Sequence, residues 1–336
     1  MPMWNYLARA CALLAAVVCF SSTVPADDTR FFSIGTGSTA GTYFPVGSLI
    51  AAAISRPRGS SPCNEGGACG VDDLIATAVT SRGSFENIEG IASGRFDSGL
   101  AQADIVAWAY DGAAVYTGKG RFPDLRAIAN LYPEYVHLVA RKDLEIGTIP
   151  DLRGRRVAID REGSGTRINA LLILAAFGLD HDHIQAINAG PAASIAGLLD
   201  GEVDAAFFVV GYPSTAVSEL METGEFEIVP ISGIAAEQLM IANRYYAADT
   251  IPAEIYATDE PVPTLTVGAQ LVTHASAPVD LIRDITAALW RPENRDLLNS
   301  GHVQARRLSP EQAVKGVTIP FHAGARLYYE EKGLLK

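Results

Sequence analysis

Two glycine-rich stretches carry the residue types best suited to chemistry in this sequence: Gly35-Thr36-Gly37-Ser38-Thr39-Ala40-Gly41 and Gly163-Ser164-Gly165-Thr166. Glycine lets bare backbone N–H groups approach a ligand, and the hydroxyls of Ser38, Thr39 and Thr42 add further donors. Where such a turn leads into a helix, the unpaired N–H groups of the first turn and the helix dipole make an anion site. A carboxylate is best held by N–H groups, hydroxyls and an arginine fork. Ser164 and Thr166 with their amides are therefore expected to take one carboxylate, and Arg161 and Arg82 are the candidate cations, each equally readable as a solvated surface residue. Tyr43 and Phe208 would supply apolar walls, although an aromatic beside a strand is more often core. Asp104 and Glu134 would receive an ammonium group if the ligand is an amino acid, and are otherwise hinge or cap residues.

Other chemistries fit less well. Gly35-x-Gly37-x-x-Ala40 matches a dinucleotide fingerprint, but the acidic residue expected about 20 positions on is missing, and Arg56, Arg58 and a cysteine loop stand there instead. The stretch from Gly112 to Lys119 has the wrong glycine spacing for a phosphate loop and continues with Gly120 in place of Ser or Thr. No G-x-S-x-G hydrolase elbow occurs, and His181-Asp182-His183 sits in a polar turn that reads as solvated, not metal-binding. Either glycine-rich turn alone could still be a simple cap; finding two in corresponding places favours the site.

The elements that must position these turns follow one pattern, in which a short β-branched run leads through a Gly/Ser turn into a helix. FFSIG (31–35) precedes YFPVGSLIAAAI (43–54), LIATAV (74–79) precedes SFENIEGIAS (84–93) with Ser84 as cap, and SGLAQ (98–102) is a third strand. RRVAID (155–160) restarts the series before RINALLILAAF (167–177), which Gly178 stops. IQAIN (184–188), AASIAGLLDG (192–201) and AAFFVV (205–210) continue it. Alternation of this kind predicts an α/β fold of two lobes with mainly parallel sheets, flanking helices and a hinge. The apolar segments LYPEYVHLVAR (131–141) and PTLTVGAQLVTH (263–274) are the expected crossings between lobes. Ligands of open α/β sheets bind beyond the carboxyl ends of strands, so both turns would face the cleft.

Composition narrows the class. The 336 residues hold 38 acidic against 26 basic, a net charge of −12, and no basic run exceeds RGRR (153–156), which argues against nucleic acid. Nearly half the residues are apolar, which excludes disorder, and the length suggests two domains. Arg9, the apolar run 10–20 and Val24-x-Ala26 form a secretory signal expected to be cleaved after Ala26, at half the length a membrane span needs. A lipoprotein at Cys19 is disfavoured because Val18 precedes it. The mature protein would carry two cysteines, Cys63 and Cys69, whose spacing in an oxidising compartment reads as a disulfide closing a surface loop; two thiolates alone are too few for a metal.

IGTGSTAGTYFPVG (34–47), SRGSFENIEGIASGRFDSGLAQAD (81–104), DLRGRRVAID..GSGT (151–166) and IPFHAGARLYYEEKGL (319–334) resemble, in order and over nearly the whole mature chain, the TAXI family of extracytoplasmic solute receptors of TRAP transporters. The resemblance implies a type II periplasmic-binding-protein fold, a periplasmic location, no catalysis and no cofactor. It further implies delivery of a small organic anion, a glutamate-like amino acid or a dicarboxylate such as 2-oxoglutarate, to membrane permease subunits. By position it places Thr36, Gly37, Thr42 and Tyr43 in a first-lobe ligand loop, Ser84 and Asn87 in a second segment, Gln102 with Asp104 in a third, and Gly163, Ser164, Gly165 and Thr166 in the second lobe. Lobe 1 would comprise 27–138 and 268–336, lobe 2 139–267, with the hinge near 138–140 and 264–270. The chain departs from the family at His322-Ala323-Gly324-Ala325 and in the loop enlarged by Cys63 to Cys69, affecting packing and a rim. A solute sensor for a signalling partner shares all these features, and an exported hydrolase remains a third reading.

Overall fold

The computed structural model describes residues 29–336; the expected leader, 1–26, lies outside the described residues. The first lobe opens with β1 (Arg30–Gly35), helix α1 (Tyr43–Ile54), the short strands β2 (Ser55–Arg56) and β3 (Val71–Asp72), then β4 (Leu74–Val79), α2 (Ser84–Ala92), β5 (Ser98–Gln102) and α3 (Ala103–Asp111). β6 (Leu125–Arg141) leads out of it. β7 (Arg156–Ala158), α4 (Gly165–Ala176), β8 (Gln185–Ile187), α5 (Pro191–Leu199) and β9 (Ala205–Val210) follow, then β10 (Phe226–Val229), β11 (Tyr246–Ile251) and β12 (Val262–His274). Helices Val279–Leu289 and Ala323–Glu331 belong to the C-terminal part.

All these strands lie in one mixed sheet, ordered β3-β2-β4-β1-β5-β12-β6-β9-β7-β8, with β10 on β6 and β11 on β12. The two expected sheets are thus joined. Within each lobe the local pairing is parallel, β4-β1-β5 and β8-β7-β9. The joint is antiparallel: β6 and β12 pair along nine positions, over which β12 also holds β5 on its other edge, and beyond that stretch β6 continues against β9 and β10 and β12 against β11. A strand 17 residues long spans about 56 Å at 3.3 Å per residue, enough to serve both lobes.

Each lobe has a core, and a further cluster around Ile88, Trp108 and Tyr116 also takes Ile168, Leu172 and Tyr245 from the second lobe. In the first, Phe32 and Ile34 of β1 pack with Val46, Ile50 and Ile54 of α1, whose 4-4 spacing puts them on one helical face; Ile282, Ile285, Leu289 and Tyr329 of the C-terminal helices complete the cluster. In the second, Val157, Ile173, Leu174 and Phe207 pack with Leu265 and Val267.

Local punctuation follows residue chemistry. Gly178, at φ 75°, ends α4 as expected. Ser84 does not cap α2: it is the first helical residue, Gly83 (φ 113°) occupies the cap, and the Ser84 hydroxyl accepts a bond from the Gln102 N–H instead (3.1 Å). Cys63 and Cys69 form the expected disulfide. The His181-Asp182-His183 segment lies in a turn tied to Asp180, and the described residues contain no group of metal ligands. No described helix is long and apolar enough to cross a membrane.

Candidate functional site

Between the two cores lies a narrow cavity with about 60 Å³ of room for the centre of a water molecule. Its walls are strand ends and helix starts. Gly37, Ser38, Gly41, Thr42 and Tyr43 come from the turn between β1 and α1, Arg82, Gly83 and Ser84 from the start of α2, and Gln102 from the end of β5. Across the cleft stand Asp160, Arg161, Ser164, Gly165 and Thr166 between β7 and α4, Pro191 opening α5, and Val209 and Val210 ending β9. Glu134 enters from β6. Helices α1, α2, α4 and α5 therefore all present their N-terminal residues to one space, adding positive potential from both lobes.

Glycine and aspartate make this geometry accessible. Gly83, Gly163 and Asp160 have φ of 113°, 89° and 67°, left-handed values that cost little for Gly and are tolerated by Asp. The Ser164 hydroxyl caps α4 by accepting the Arg167 N–H (3.1 Å). Gln102 and Gly165 meet across the cleft, and the buried Gln102 Oε1 has no hydrogen-bond partner among the described residues.

The charged groups are unevenly satisfied. Glu134 is 2% exposed, and its Oε2 accepts the Tyr43 hydroxyl at 2.7 Å. Burial raises its pKa to about 8, partly offset by the Tyr43 bond and reinforced by Asp104. Burial likewise pushes Tyr43 well above the usual phenol range, and the neighbouring Glu134 adds to this. Asp160 is raised by burial, while its Oδ1 accepts the Arg161 N–H (2.7 Å). Arg82 is paired with Glu86 (3.0 Å). Arg161 Nη2 donates to Ser81 O (3.4 Å), but its buried Nε lacks a partner.

The expected site residues divide into wall and frame. Gly37, Thr42, Tyr43, Ser84, Gln102, Arg161, Ser164, Gly165 and Thr166 line the cavity, together with Arg82 and Glu134. Thr36 is buried behind it, donating its hydroxyl to Val79 O (2.7 Å). Asn87 ties the same frame together, donating to Thr36 O (2.6 Å) and Leu100 O (2.7 Å). Asp104 is fully buried off the cavity, accepting from Tyr246 Oη (2.7 Å) and Asn169 Nδ2 (2.9 Å); burial raises its pKa to about 6 against these bonds. Gly163 faces an adjoining groove with Arg167 and Ile168. Phe208 is not a wall: it packs in the second-lobe core beside Val139 and Phe226, opposite His137, and the strand-ending Val209 and Val210 take the place expected for it. Asp160, Gly83, Pro191 and the two valines were not singled out from the sequence. Asp160 had a signal, an acid standing between a strand and the glycine-rich turn.

A family model described as the NMT1-like family matches residues 34–333. The chain belongs to the NMT1-like family. Solved structures show the same fold for this NMT1-like chain. It is similar to MatC from Rhodopseudomonas palustris with bound malate, at 16% identity over 91% of this chain and 97% of that one, with a TM-score of 0.54. PhnD1 from Prochlorococcus marinus in complex with methylphosphonate matches at 12% identity over 92% and 100%, TM-score 0.53. A binding-protein component of an ABC phosphonate transporter from Pseudomonas aeruginosa matches at 12% identity over 84% and 80%, TM-score 0.52. At these identities the likeness establishes the fold alone, a two-lobed α/β architecture.

Proposed function

We propose that this protein is an exported solute receptor, which captures a small carboxylate-bearing anion in the interlobe cavity and delivers it to the membrane subunits of a TRAP-type transporter. The observation that carries this reading is the convergence of helix N-termini from both lobes with the hydroxyls of Thr42, Ser84, Ser164 and Thr166 and two arginines on one small cavity. The malate and methylphosphonate bound by two structural neighbours are anions of comparable size. The TAXI-like motifs at 34–47, 81–104, 151–166 and 319–334 support the transporter type, and the leader at 1–26 supports export to the periplasm. Among the described residues none that lines the cavity is a histidine, so the lining hydroxyls have no imidazole beside them to act as a base.

The binding cycle uses lobe 1 (27–138 and 268–336), lobe 2 (139–267) and a hinge near 138–140 and 264–270. The anion docks on one lobe, closure completes its hydrogen bonds from the other, and the closed form is what the permease reads. Capture relies on local potential, because the net charge repels anions at long range.

A thermal-shift panel of amino acids, keto acids and dicarboxylates tests this reading. A ligand at 100 times its Kd stabilises by about 2.7 kcal/mol. The Ser164→Ala/Thr166→Ala double variant is expected to abolish that shift while lowering the unliganded stability by only about 1 kcal/mol, the cost of one cap. A panel in which no carboxylate shifts the melt would refute the anion assignment.

A further inference from the structure

We infer that Glu134 is the specificity-determining residue of the cavity: it accepts the ammonium group of an amino-acid ligand whose carboxylate lies on the helix N-termini. This rests on the receptor reading above and selects between the ligand classes that reading admits.

The argument begins with the inventory of charges. The cavity is lined by two carboxylates, Glu134 and Asp160, and two guanidinium groups, Arg82 and Arg161. Arg82 is already matched by Glu86 (3.0 Å). A dianion would therefore bring two negative charges to a wall with one uncommitted cation and two acids. A ligand carrying an ammonium group as well as carboxylate restores the match.

The remaining acids are committed elsewhere. Asp160 holds its own turn through the Arg161 N–H (2.7 Å), and Asp104 is off the cavity with Tyr246 and Asn169. Glu134, in contrast, has a single side-chain hydrogen bond, from Tyr43, and no ion pair with a cation among the described residues. A buried, unpaired carboxylate on a binding wall is costly unless a ligand supplies its counter-charge.

The titratable and charged groups around Glu134 are Tyr43 on α1, Tyr132 on its own strand, Asp104 on α3, and Arg82, Asp160 and Arg161 around the cavity. Among the protein groups alone, burial keeps the Glu134 carboxyl largely protonated at pH 7. As the ammonium group arrives, that proton passes to solvent and the ligand keeps all three of its own. A keto acid of the same skeleton has no group that would ionise Glu134.

The test measures L-glutamate and 2-oxoglutarate, identical but for the amino and keto groups, by calorimetry at pH 7 in buffers of different ionisation enthalpy. Wild type is expected to prefer glutamate and to release close to one proton on binding it, more than with 2-oxoglutarate. Glu134→Gln mimics the protonated side chain and keeps its shape; it is expected to lower the glutamate-to-2-oxoglutarate affinity ratio at least thirtyfold. A wild-type preference for 2-oxoglutarate, equal proton counts for the two ligands, or equal weakening of both by the variant would overturn the inference while leaving the receptor reading standing. Failure of every carboxylate to bind would overturn both.

Discussion

Replacing Gly165 with alanine should hold the cavity open without unfolding either lobe. A Cβ built on Gly165 would stand 1.9 Å from Gln102 Oε1, 2.5 Å from Gln102 Cδ and 3.0 Å from Ser84 Oγ, all in the opposite lobe. Ordinary contact begins near 3.4 Å, so Gln102, or the whole facing wall, must retreat by about 1.5 Å. Gln102 is buried and has little room to do so. Overpacking of this kind typically costs about 1–3 kcal/mol, and because the overlap exists only when the lobes meet, the cost falls on the closed form. Affinity should drop roughly five- to 150-fold. Within its own lobe Gly165 is the first residue of α4 and does not use a left-handed backbone, so alanine there favours the helix and the unliganded melt should hold or rise. Calorimetric Kd values beside unliganded melting curves read the two effects separately. Adding Gln102→Ala removes the two nearest atoms, so the double variant should bind better than the sum of the single losses predicts, by about 1 kcal/mol or more of coupling. An unchanged Kd for Gly165→Ala, or no coupling with Gln102→Ala, would refute the claim that these residues meet on closure.

Two further outcomes follow from the charges and the disulfide. Glu134 holds its proton to about pH 8 in the folded chain, whereas an exposed glutamate releases it near 4.5, so its contribution favours folding at low pH and is lost as pH rises between those values. His137 runs the other way: burial lowers its pKa to about 4, so stability is lost as pH falls below 6.5. The two oppose each other between 4.5 and 6.5. From pH 6.5 to 8 the unliganded protein should lose stability by at most about 1.4 kcal/mol per pH unit through Glu134, and chemical denaturation of Glu134→Gln should show that slope flattened; an unchanged slope would count against the burial argument. Replacing Cys63 and Cys69 together by serine removes a short-loop constraint of about 2 kcal/mol. Arg291 still holds the loop through Cys69 O (3.0 Å), and neither cysteine lines the cavity, so the melt should fall by a few degrees with ligand affinity unaltered.

Strands β4 and β5 run over the residues expected of them because short β-branched or small-residue runs between turn residues leave few alternatives. Both glycine-rich turns sit at strand-to-helix junctions for the same reason. What the sequence could not convey was the use to which a suitable side chain is put. Thr36 and Thr42 are the same residue type six positions apart, yet one hydroxyl is spent on Val79 O and the other faces the cavity, where it also accepts the Gly211 N–H (3.1 Å). The choice between Phe208 and its neighbours was equally hidden. AAFFVV is apolar at every position, so no alternation reveals which side chains point to core and which to cleft. Asp104 finds its partners 65 and 142 residues away, in Asn169 and Tyr246, a distance no local pattern spans.

Those long-range partners bear on how the proposed cycle can be reversible. Several of the contacts that bridge the lobes are polar. Thr42 accepts from Gly211, Gln304 donates to Tyr212 O, Arg307 donates to Tyr212 Oη (3.1 Å), and Asp104 accepts from Asn169 and Tyr246. Two of the apolar clusters are completed within one lobe or the other, while a third, around Ile88, Trp108 and Tyr116, also takes Ile168, Leu172 and Tyr245 from the facing lobe. Water can replace hydrogen bonds when the lobes part, and each bond contributes only about 0.5–1.5 kcal/mol net. Separating an apolar interface would cost about 25 cal/mol for every Å² exposed, with no such replacement. The polar bridges therefore contribute only a few kcal/mol to closure, a range that a ligand with differential affinity for the closed form can control, beside the apolar share from Ile168, Leu172 and Tyr245. Exchanging a bridging side-chain pair such as Arg307 and Tyr212 for a packed apolar contact would weaken that control, because closure would depend less on what the cavity holds.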